Sequence, residues 1–286
     1  MPKTILITGT SSGLGVALAV QAAQAGFKVY ATMRNLAKRA ALDDAVSAAG
    51  VAVEVLQLDV QDTGSVEAAV DTIMTADGQI DVLVNNAGAG YVRSTEQASE
   101  DDINWVMDVN FMGVVRCTKA VLPHMRTRRS GHMVTISSVG GLIGQPFNEI
   151  YCAAKFAVEG YNEALASYVG PTFGLHFTTV EPGGIKSEFA ASVLKQVEET
   201  GGMLDDEYLP ILQEYLSFSQ ARGDVAYQTA DEVAAVVMKT IESETPPVRV
   251  RTSKWAEDLC HLKTAQDPDG KKAQAMVLRD FLGRDV

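Results

Sequence analysis

The 286-residue chain predicts an α/β fold, a doubly wound parallel sheet with helices on both faces, and three observations carry that prediction. Strand-like and helix-like stretches alternate in a βαβαβα order from the N-terminus, the pattern that parallel pairing with helical crossovers produces. The first strand, Thr4-Ile-Leu-Ile-Thr8, is a short apolar run of the kind buried on both faces of a sheet. Strands also end in glycine and polar residues, and the carboxyl ends of strands are where ligands bind in open α/β sheets.

The first strand is followed by Gly9-Thr-Ser-Ser-Gly13-Leu-Gly15 and an alanine-rich helix that ends at Gly26, a residue suited to a helix C-terminus. The glycines permit a tight turn and let backbone N–H groups and the helix N-terminus approach a pyrophosphate. Their spacing, Gly-x-x-x-Gly-x-Gly, differs from the best-known dinucleotide fingerprint, so a purely structural turn is the competing reading. Phe27 to Met33 is a second strand, leading into Arg34-Asn35 and a helix to about Ala49 that Gly50 closes. Val51 to Leu58 reads as a third strand ending at Asp59-Val60, and Thr63 to about Ala76 as the next helix. Ile80 to Val84 is a fourth strand ending in Asn85-Asn86-Ala87-Gly88. A long helix is expected from about Ser99 to Met125, with an acidic start at Glu100, Asp101 and Asp102 and basic residues at its end, both favourable to the helix dipole. Asn110 falls in its middle, either as a tolerated surface position or as a side chain that contacts the backbone inside.

Gly131 to Ser138 is the fifth strand. A helix beginning near Asn148 or Glu149 and running to about Val169 places Tyr151 and Lys155 at i and i+4, one above the other on one face. A free phenol, with a pKa near ~10, is a poor base at neutral pH; an adjacent ammonium stabilises the phenolate and lowers that value. Ser138 is placed to meet a substrate oxygen from the opposite side. Leu175 to Val180 is a sixth strand, closed by Glu181-Pro-Gly-Gly184. Residues 187 to 222 read as one or two amphipathic helices broken at Gly201-Gly202 and Pro210, an insertion at the sheet's carboxyl edge that suits a substrate cover. Its apolar residues, among them Leu194, Met203, Leu204, Tyr208, Ile211, Leu212, Tyr215 and Phe218, either line a pocket for a greasy substrate or pack the segment down. A helix from Ala230 to Ile241, a strand around Val248 to Arg251 and a helix-capable tail from Trp255 complete the chain.

The net charge of -12 argues against nucleic acid or an anionic membrane as a partner. Cys117, Cys152 and Cys260 are an odd, scattered set without metal-ligand spacing, which fits reduced thiols in the cytoplasm and no metal site. The N-terminal apolar run is too short for a signal peptide and no later run reaches transmembrane length, so a soluble cytoplasmic protein is expected.

Taken together, these motifs resemble the short-chain dehydrogenase/reductase family over almost the whole chain. The family pattern is present as Thr8-Gly9-x-x-x-Gly13-x-Gly15, Asp59, Asn85-Asn86-Ala87-Gly88, Asn110, Ser138, Tyr151-x-x-x-Lys155 and Pro182-Gly183, in order and in register. The resemblance implies a single Rossmann-type domain over residues 1–286, with 187–222 as a substrate lid and 253–286 as a C-terminal extension. It also implies an NAD(P)-dependent oxidoreductase that interconverts a ketone or aldehyde and an alcohol, here on a hydrophobic substrate. In that reading Tyr151 is the general acid/base and Lys155 stabilises its phenolate and bonds the nicotinamide ribose. Ser138 polarises the substrate oxygen and Asn110 belongs to a proton relay ending at the lysine. Strand alternation turns the neighbouring Ser137 to the other face, and the family spacing to the tyrosine selects Ser138. For the cofactor the resemblance assigns Gly9, Gly13 and Gly15 to the pyrophosphate, Asp59 to the adenine, Asn86 to the adenosine ribose, and Ile185 and Ser187 to the nicotinamide amide. Leu14, Val60, Ala87, Gly88, Pro182 and Gly183 also belong to the cofactor site, as do Tyr151 and Lys155.

NAD-preferring relatives usually end the second strand with an acidic residue, whereas this chain has Thr32-Met33-Arg34. A guanidinium suits a 2′-phosphate, with Ser11 or Ser12 assisting, so NADP(H) is the preferred cofactor and NAD(H) the second. The competing role for Arg34 is stacking on the adenine of either cofactor. Phe27-Lys-Val-Tyr-Ala-Thr-Met-Arg34, Ser138-Val-Gly-Gly-Leu and Pro146-Phe-Asn-Glu-Ile-Tyr151-Cys are similar to the branch holding 17-beta-hydroxysteroid and retinol dehydrogenases. One departure weakens a steroid assignment: the estrogen-converting members place a histidine after strand six, and residues 187 to 222 contain none. Gln145 and Asn148 are candidate substrate contacts, although Asn148 equally suits a helix N-cap. By resemblance the helices at 99 to 127 and 149 to 169 form a homodimer or homotetramer face. A cofactor-bound redox sensor with weak catalysis is the alternative function; such proteins commonly lose the tyrosine or the lysine, and both are present here.

Overall fold

A computed structural model describes residues 2–186, 197–198 and 202–282. Its strands are β1 (Thr4–Thr8), β2 (Lys28–Met33), β3 (Glu54–Gln57), β4 (Val82–Asn85), β5 (His132–Ile136), β6 (His176–Glu181), β7 (Ile185–Lys186), β8 (Gln228–Thr229) and β9 (Arg249–Arg251). Seven form one sheet in the order β3-β2-β1-β4-β5-β6-β9, every neighbour pair parallel. The remaining pair, β7 and β8, makes a separate parallel ribbon in which Ile185 faces Gln228 and Lys186 faces Thr229.

Strand pleating explains why the sheet needs cover on both sides. In β1, Ile5 and Ile7 pack with Val84, Val134 and Val180 on one face, while Leu6 packs with Leu83 and Met133 on the other. The first face is covered by α1 (Gly13–Gln24), by Leu42 of α2 (Ala40–Ala49), and by Val233 and Val237 of α8 (Ala230–Glu242). The second is covered by α3 (Thr63–Asp77), α5 (Gly113–Arg128) and α6 (Glu149–Phe173). Sequence-encoded caps set the helix ends: Asp62 accepts from the Gly64 and Ser65 N–H groups, and Gly50, Gly78 and Gly174 close their helices in the left-handed conformation.

Three expectations change. The single helix predicted from Ser99 to Met125 is α4 (Glu100–Met107), a wide π turn over Asp108–Met112, and then α5. The Asn110 side chain lies inside that turn and bonds backbone, which ordinary helical packing does not offer it. Pro210 does not break the insertion but opens α7 (Leu209–Ala226), where its missing N–H is no loss. The third strand is shorter than predicted, and a 3-10 turn, Leu36–Lys38, separates β2 from α2. Leu194 and Gly201 lie outside the described residues.

The tail forms α9 (Lys254–Thr264) and α10 (Lys271–Leu282), and Gln274 Nε2 of α10 donates to Ala166 O of α6 at 2.6 Å. Among the described residues no helix is long and apolar enough to cross a membrane.

Candidate active site

The strand order reverses between β1 and β4, and a cleft of about 1230 Å³ lies over the carboxyl ends of the strands. That exceeds the roughly 300–1,000 Å³ of an ordinary small-molecule pocket and leaves room for a dinucleotide plus a second molecule. The glycine turn, Arg34, Asp59 and Val60 line the cleft together with Ser138, Tyr151, Lys155, Gln145, Asn148 and Tyr215.

The glycine turn is built by close backbone approach. Gly9 has φ 72°, and a Cβ there would lie 2.7 Å from Ala87 Cα. A Cβ on Gly15 would lie 2.1 Å from the Gly9 carbonyl oxygen. Asn86 staples this turn to β4: its Nδ2 donates to Thr8 O and Gly9 O, both at 2.9 Å, and its backbone N–H donates to Thr8 Oγ1. The expected ribose contact therefore falls to a residue whose amide nitrogen is already engaged with backbone. At the start of α1, Ser12 occupies the N-cap without a side-chain cap bond, and the first turn holds no acidic residue. The helix N-terminus beside Gly13, Leu14 and Gly15 thus keeps backbone donors for an anion.

Arg34 is exposed at the rim of the cleft, and Ser11, Ser12 and Lys38 share the lining. Sequence reasoning missed Lys38, although a second cation four residues after Arg34 was its available signal. Asp59 is held by its own turn, with Oδ1 accepting from Gln61 N at 3.0 Å and its N–H donating to Ser65 Oγ at 3.0 Å.

Ser138 follows β5 and opens a 3-10 turn, its Oγ accepting from Gly140 N at 3.0 Å. It is hydrogen-bonded to Tyr151, which projects from the first turn of α6. One turn on, the buried Lys155 donates from Nζ to Ile136 O at 2.9 Å and lies 5.8 Å from the centre of the Tyr151 ring. Burial dominates both groups: it pushes the phenol up to about 12, with the Ser138 hydrogen bond opposing, and the ammonium down to about 8. Lys155 alone does not bring the phenol down, contrary to the i,i+4 expectation, because desolvation outweighs an ammonium tied to a carbonyl. Ser137 turns away, toward Gly141 and Glu159, as strand alternation requires.

Asn110 is fully buried and uses both ends of its amide. Oδ1 accepts from Ala89 N at 3.0 Å, while Nδ2 donates to Ala89 O at 2.9 Å and to Val106 O at 3.0 Å. A Cβ on Gly88 would sit 3.0 Å from Asn110 Oδ1 and 3.6 Å from Lys155 Nζ, so these three residues form one contiguous patch with Ala87 beside it. Across the cleft, Pro182 O accepts from Val139 N at 2.9 Å, Gly183 packs on Trp255 and Gly184 on Tyr227. Ile185 lines the cleft beside them, and Ser187 lies outside the described residues.

At the substrate end, Phe147 holds a left-handed φ of 60° and is buried edge-on against Tyr208, with ring centres 6.4 Å apart. It also contacts Tyr215 of α7. Asn148 stands at the start of α6 but makes no side-chain cap; its Nδ2 donates to Tyr215 OH at 3.0 Å and to Pro146 O at 2.9 Å. The cap reading gives way to a tie between the start of α6 and the insertion. Of the insertion's apolar residues, Leu212 is buried, Met203 and Tyr215 line the cleft, and Leu204, Ile211 and Phe218 are exposed.

A family model described as short chain dehydrogenase matches residues 3–198, and the chain belongs to that family of oxidoreductases acting on CH–OH groups. Within it the chain falls in the branch of the retinol and 17-beta-hydroxysteroid dehydrogenases. It is 43% identical over 275 residues to retinol dehydrogenase 8 of Bos taurus, covering 94% of this chain and 87% of that one. It is 39% identical over 290 residues to 17-beta-hydroxysteroid dehydrogenase type 1 of Homo sapiens, covering 99% and 87%. Among solved structures, a short chain dehydrogenase/reductase from Burkholderia phymatum in complex with NAD matches with a TM-score of 0.79 at 26% identity, over 93% of this chain and 94% of that one. The fold and family establish a nicotinamide-cofactor oxidoreductase.

Proposed function

We propose that the protein is an NADP(H)-dependent oxidoreductase that interconverts a hydrophobic ketone or aldehyde with its alcohol, residues 1–286 acting as one cofactor-binding unit. The observation that carries this reading is the meeting of Ser138, Tyr151 and Lys155 over the same cleft as an uncapped helix N-terminus and a cationic rim. Those free N–H donors and the glycine turn fit a pyrophosphate, and Arg34 with Lys38 and Ser11 or Ser12 fits a 2′-phosphate. When bound, the nicotinamide supplies or accepts a hydride at the carbonyl carbon.

Ser138 donates toward the substrate oxygen, where negative charge grows as a carbonyl is reduced. Tyr151, with its pKa pushed up to about 12, is protonated at neutral pH and delivers the proton that the developing alkoxide requires. In alcohol oxidation the phenol must first lose its proton, and the Lys155 charge favours that state. Asn110, holding the Gly88–Ala89 backbone against Lys155, positions the lysine end of the proton path. The apolar residues Val92, Ile143, Met203 and Leu216 on the substrate side of the cleft support a hydrophobic substrate, while Gln145 and the Asn148–Tyr215 pair offer it polar contacts. That all three cysteines are free thiols supports a cytoplasmic setting. An apolar groove between α5 and α6, lined by Val115, Leu122, Tyr161 and Phe173, supports a homodimer through those helices.

The test is turnover on a panel of hydrophobic ketones, aldehydes and secondary alcohols with each cofactor. Wild type turns over with NADPH better than with NADH, and Tyr151→Phe lowers kcat by at least about 100-fold, the scale of one general acid/base. A wild type that binds cofactor yet converts nothing on the panel favours the redox-sensor reading instead.

A further inference from the structure

Behind Ser138, Tyr151 and Lys155 lies a group of charged side chains to which the hydride chemistry gives no role. Glu181, the last residue of β6, is fully buried, and its Oε2 accepts from Arg251 Nη1 at 3.0 Å. Arg251 Nε lies 3.0 Å from Glu257 Oε2 of α9. Glu159 stands one helical turn beyond Lys155, packed on Gly141 and Ser137 at the end of β5. Glu159 packs on Ser137, whose N–H donates to Val180 O beside Glu181, so the two carboxyls meet, and Oε1 of each makes no hydrogen bond among the described residues. Two ionised carboxylates offer only acceptors and repel each other; one proton between them supplies the missing donor and removes the repulsion.

The surroundings bear on where that proton resides. Glu159 is faced by Lys155 from its own helix, by Ser137 just beyond β5, by Glu181 from β6 and by the Arg249 guanidinium from β9, while Arg251 faces Glu181. Arg249 is ion-paired with Glu163. Arg251 is shared between Glu181 and Glu257, and the Cys260 thiol of α9 is buried beside them. Glu181 thus holds the direct guanidinium contact, which favours its ionised form, and the proton falls to Glu159.

We propose that Glu159 and Glu181 share one proton at neutral pH, and that Glu159, kept neutral in this way, is a positioning residue that leaves the charge of Lys155 uncompensated at Tyr151. This rests on the reading of Tyr151 and Lys155 as the proton-handling pair. Burial and the Glu181 charge both push the Glu159 carboxyl well above the ordinary carboxylate range, in keeping with the geometry. Ionisation of Glu159 would set a carboxylate one turn from Lys155 that holds the lysine proton but pairs with its charge, and so opposes the phenolate that alcohol oxidation needs. Removing the Glu181 charge releases that ionisation, because an amide at position 181 donates to a Glu159 carboxylate instead of repelling it.

The test combines the pH dependence of alcohol oxidation with infrared spectroscopy of wild type, Glu159→Gln and Glu181→Gln. In wild type the oxidation rate rises with pH as Tyr151 deprotonates. Glu181→Gln is expected to move that rise up by roughly one pH unit, a tenfold lower rate at a fixed pH on the rising limb. Glu159→Gln, which preserves neutrality, keeps the wild-type midpoint. Loss of packing alone would lower stability in both variants and move neither midpoint. In the infrared, wild type at neutral pH shows the carbonyl stretch of a protonated carboxylic acid, and both variants lack it. Absence of that band in wild type, or a Glu181→Gln midpoint equal to that of wild type, overturns the proposal. Absence of turnover in wild type refutes the assigned function and not the shared proton, which the infrared band decides by itself.

Discussion

Replacing Asn110 by alanine removes the three hydrogen bonds of a fully buried amide at once, two to the part-buried Ala89 backbone and one to the buried Val106 O. Each is worth about 1 kcal/mol net, and a buried backbone group left without a partner costs about 1–3 kcal/mol. The expected destabilisation is therefore about 3–5 kcal/mol. At roughly 2–4 °C per kcal/mol for a chain of this size, the melting temperature falls by about 10 °C. Asn110→Asp does not rescue it, since a carboxylate accepts from Ala89 N but has no proton to give Ala89 O and Val106 O. Turnover falls as well, because the loop that presses Gly88 toward Lys155 loses its anchor. Calorimetric unfolding with and without cofactor, alongside steady-state kinetics, checks both parts. A melting temperature within about 2 °C of wild type, equivalent to less than about 1 kcal/mol, would refute the assignment of Asn110 as the residue that holds this loop.

Arg34→Leu is expected to raise KM for NADPH about tenfold and to leave KM for NADH little changed, because a charge-assisted hydrogen bond at an exposed rim sits at the low end of about 1.5–3 kcal/mol. Lys38→Leu acts in the same direction more weakly, and an unaltered NADPH to NADH ratio in both variants would exclude a 2′-phosphate site there. His132 is buried with Nε2 bonded to Thr178 Oγ1, and burial depresses its pKa to about 3. Thr178 Oγ1 already donates to Pro247 O, so the imidazole donates from Nε2 and is neutral. The unfolded chain binds this proton near pH 6.5 and the folded chain does not, so stability is full above that pH and falls as pH drops toward the folded value. His132→Leu should flatten denaturant-measured stability between pH 6.5 and 4; an unchanged slope would count against a neutral His132.

How far the sequence could be read depended on the range of the interaction. The glycine turn was legible because Gly9 and Gly15 answer a local demand, backbone passing within a methyl's breadth of backbone. Tyr151 and Lys155 were legible because one helical turn fixes their relation. The π turn around Asn110 was not, since the neighbouring residues all tolerate a regular helix and the bonds that widen it reach to Ala89, 21 residues away. Pro210 is ambiguous in the sequence for a related reason: proline ends one helix or begins another, and only the packing of α7 decides which. The phenol's raised pKa was likewise hidden, because spacing places a cation beside it but says nothing of burial. Glu159, Glu181 and Arg251 come from three separate elements, and no pattern of period or spacing joins them.

The ribbon of β7 and β8 has a consequence for how this protein could diversify. It pairs Lys186 with Thr229 although 43 positions separate them, so the two ends of the insertion meet at one place beside the cleft. Changes within that segment reach the body first where it is held, at Asn148 through Tyr215 and at Arg93 through Val197 O and Gly202 O. A descendant chain that exchanges this segment has therefore to keep those two contacts or to change Asn148 and Arg93 along with it.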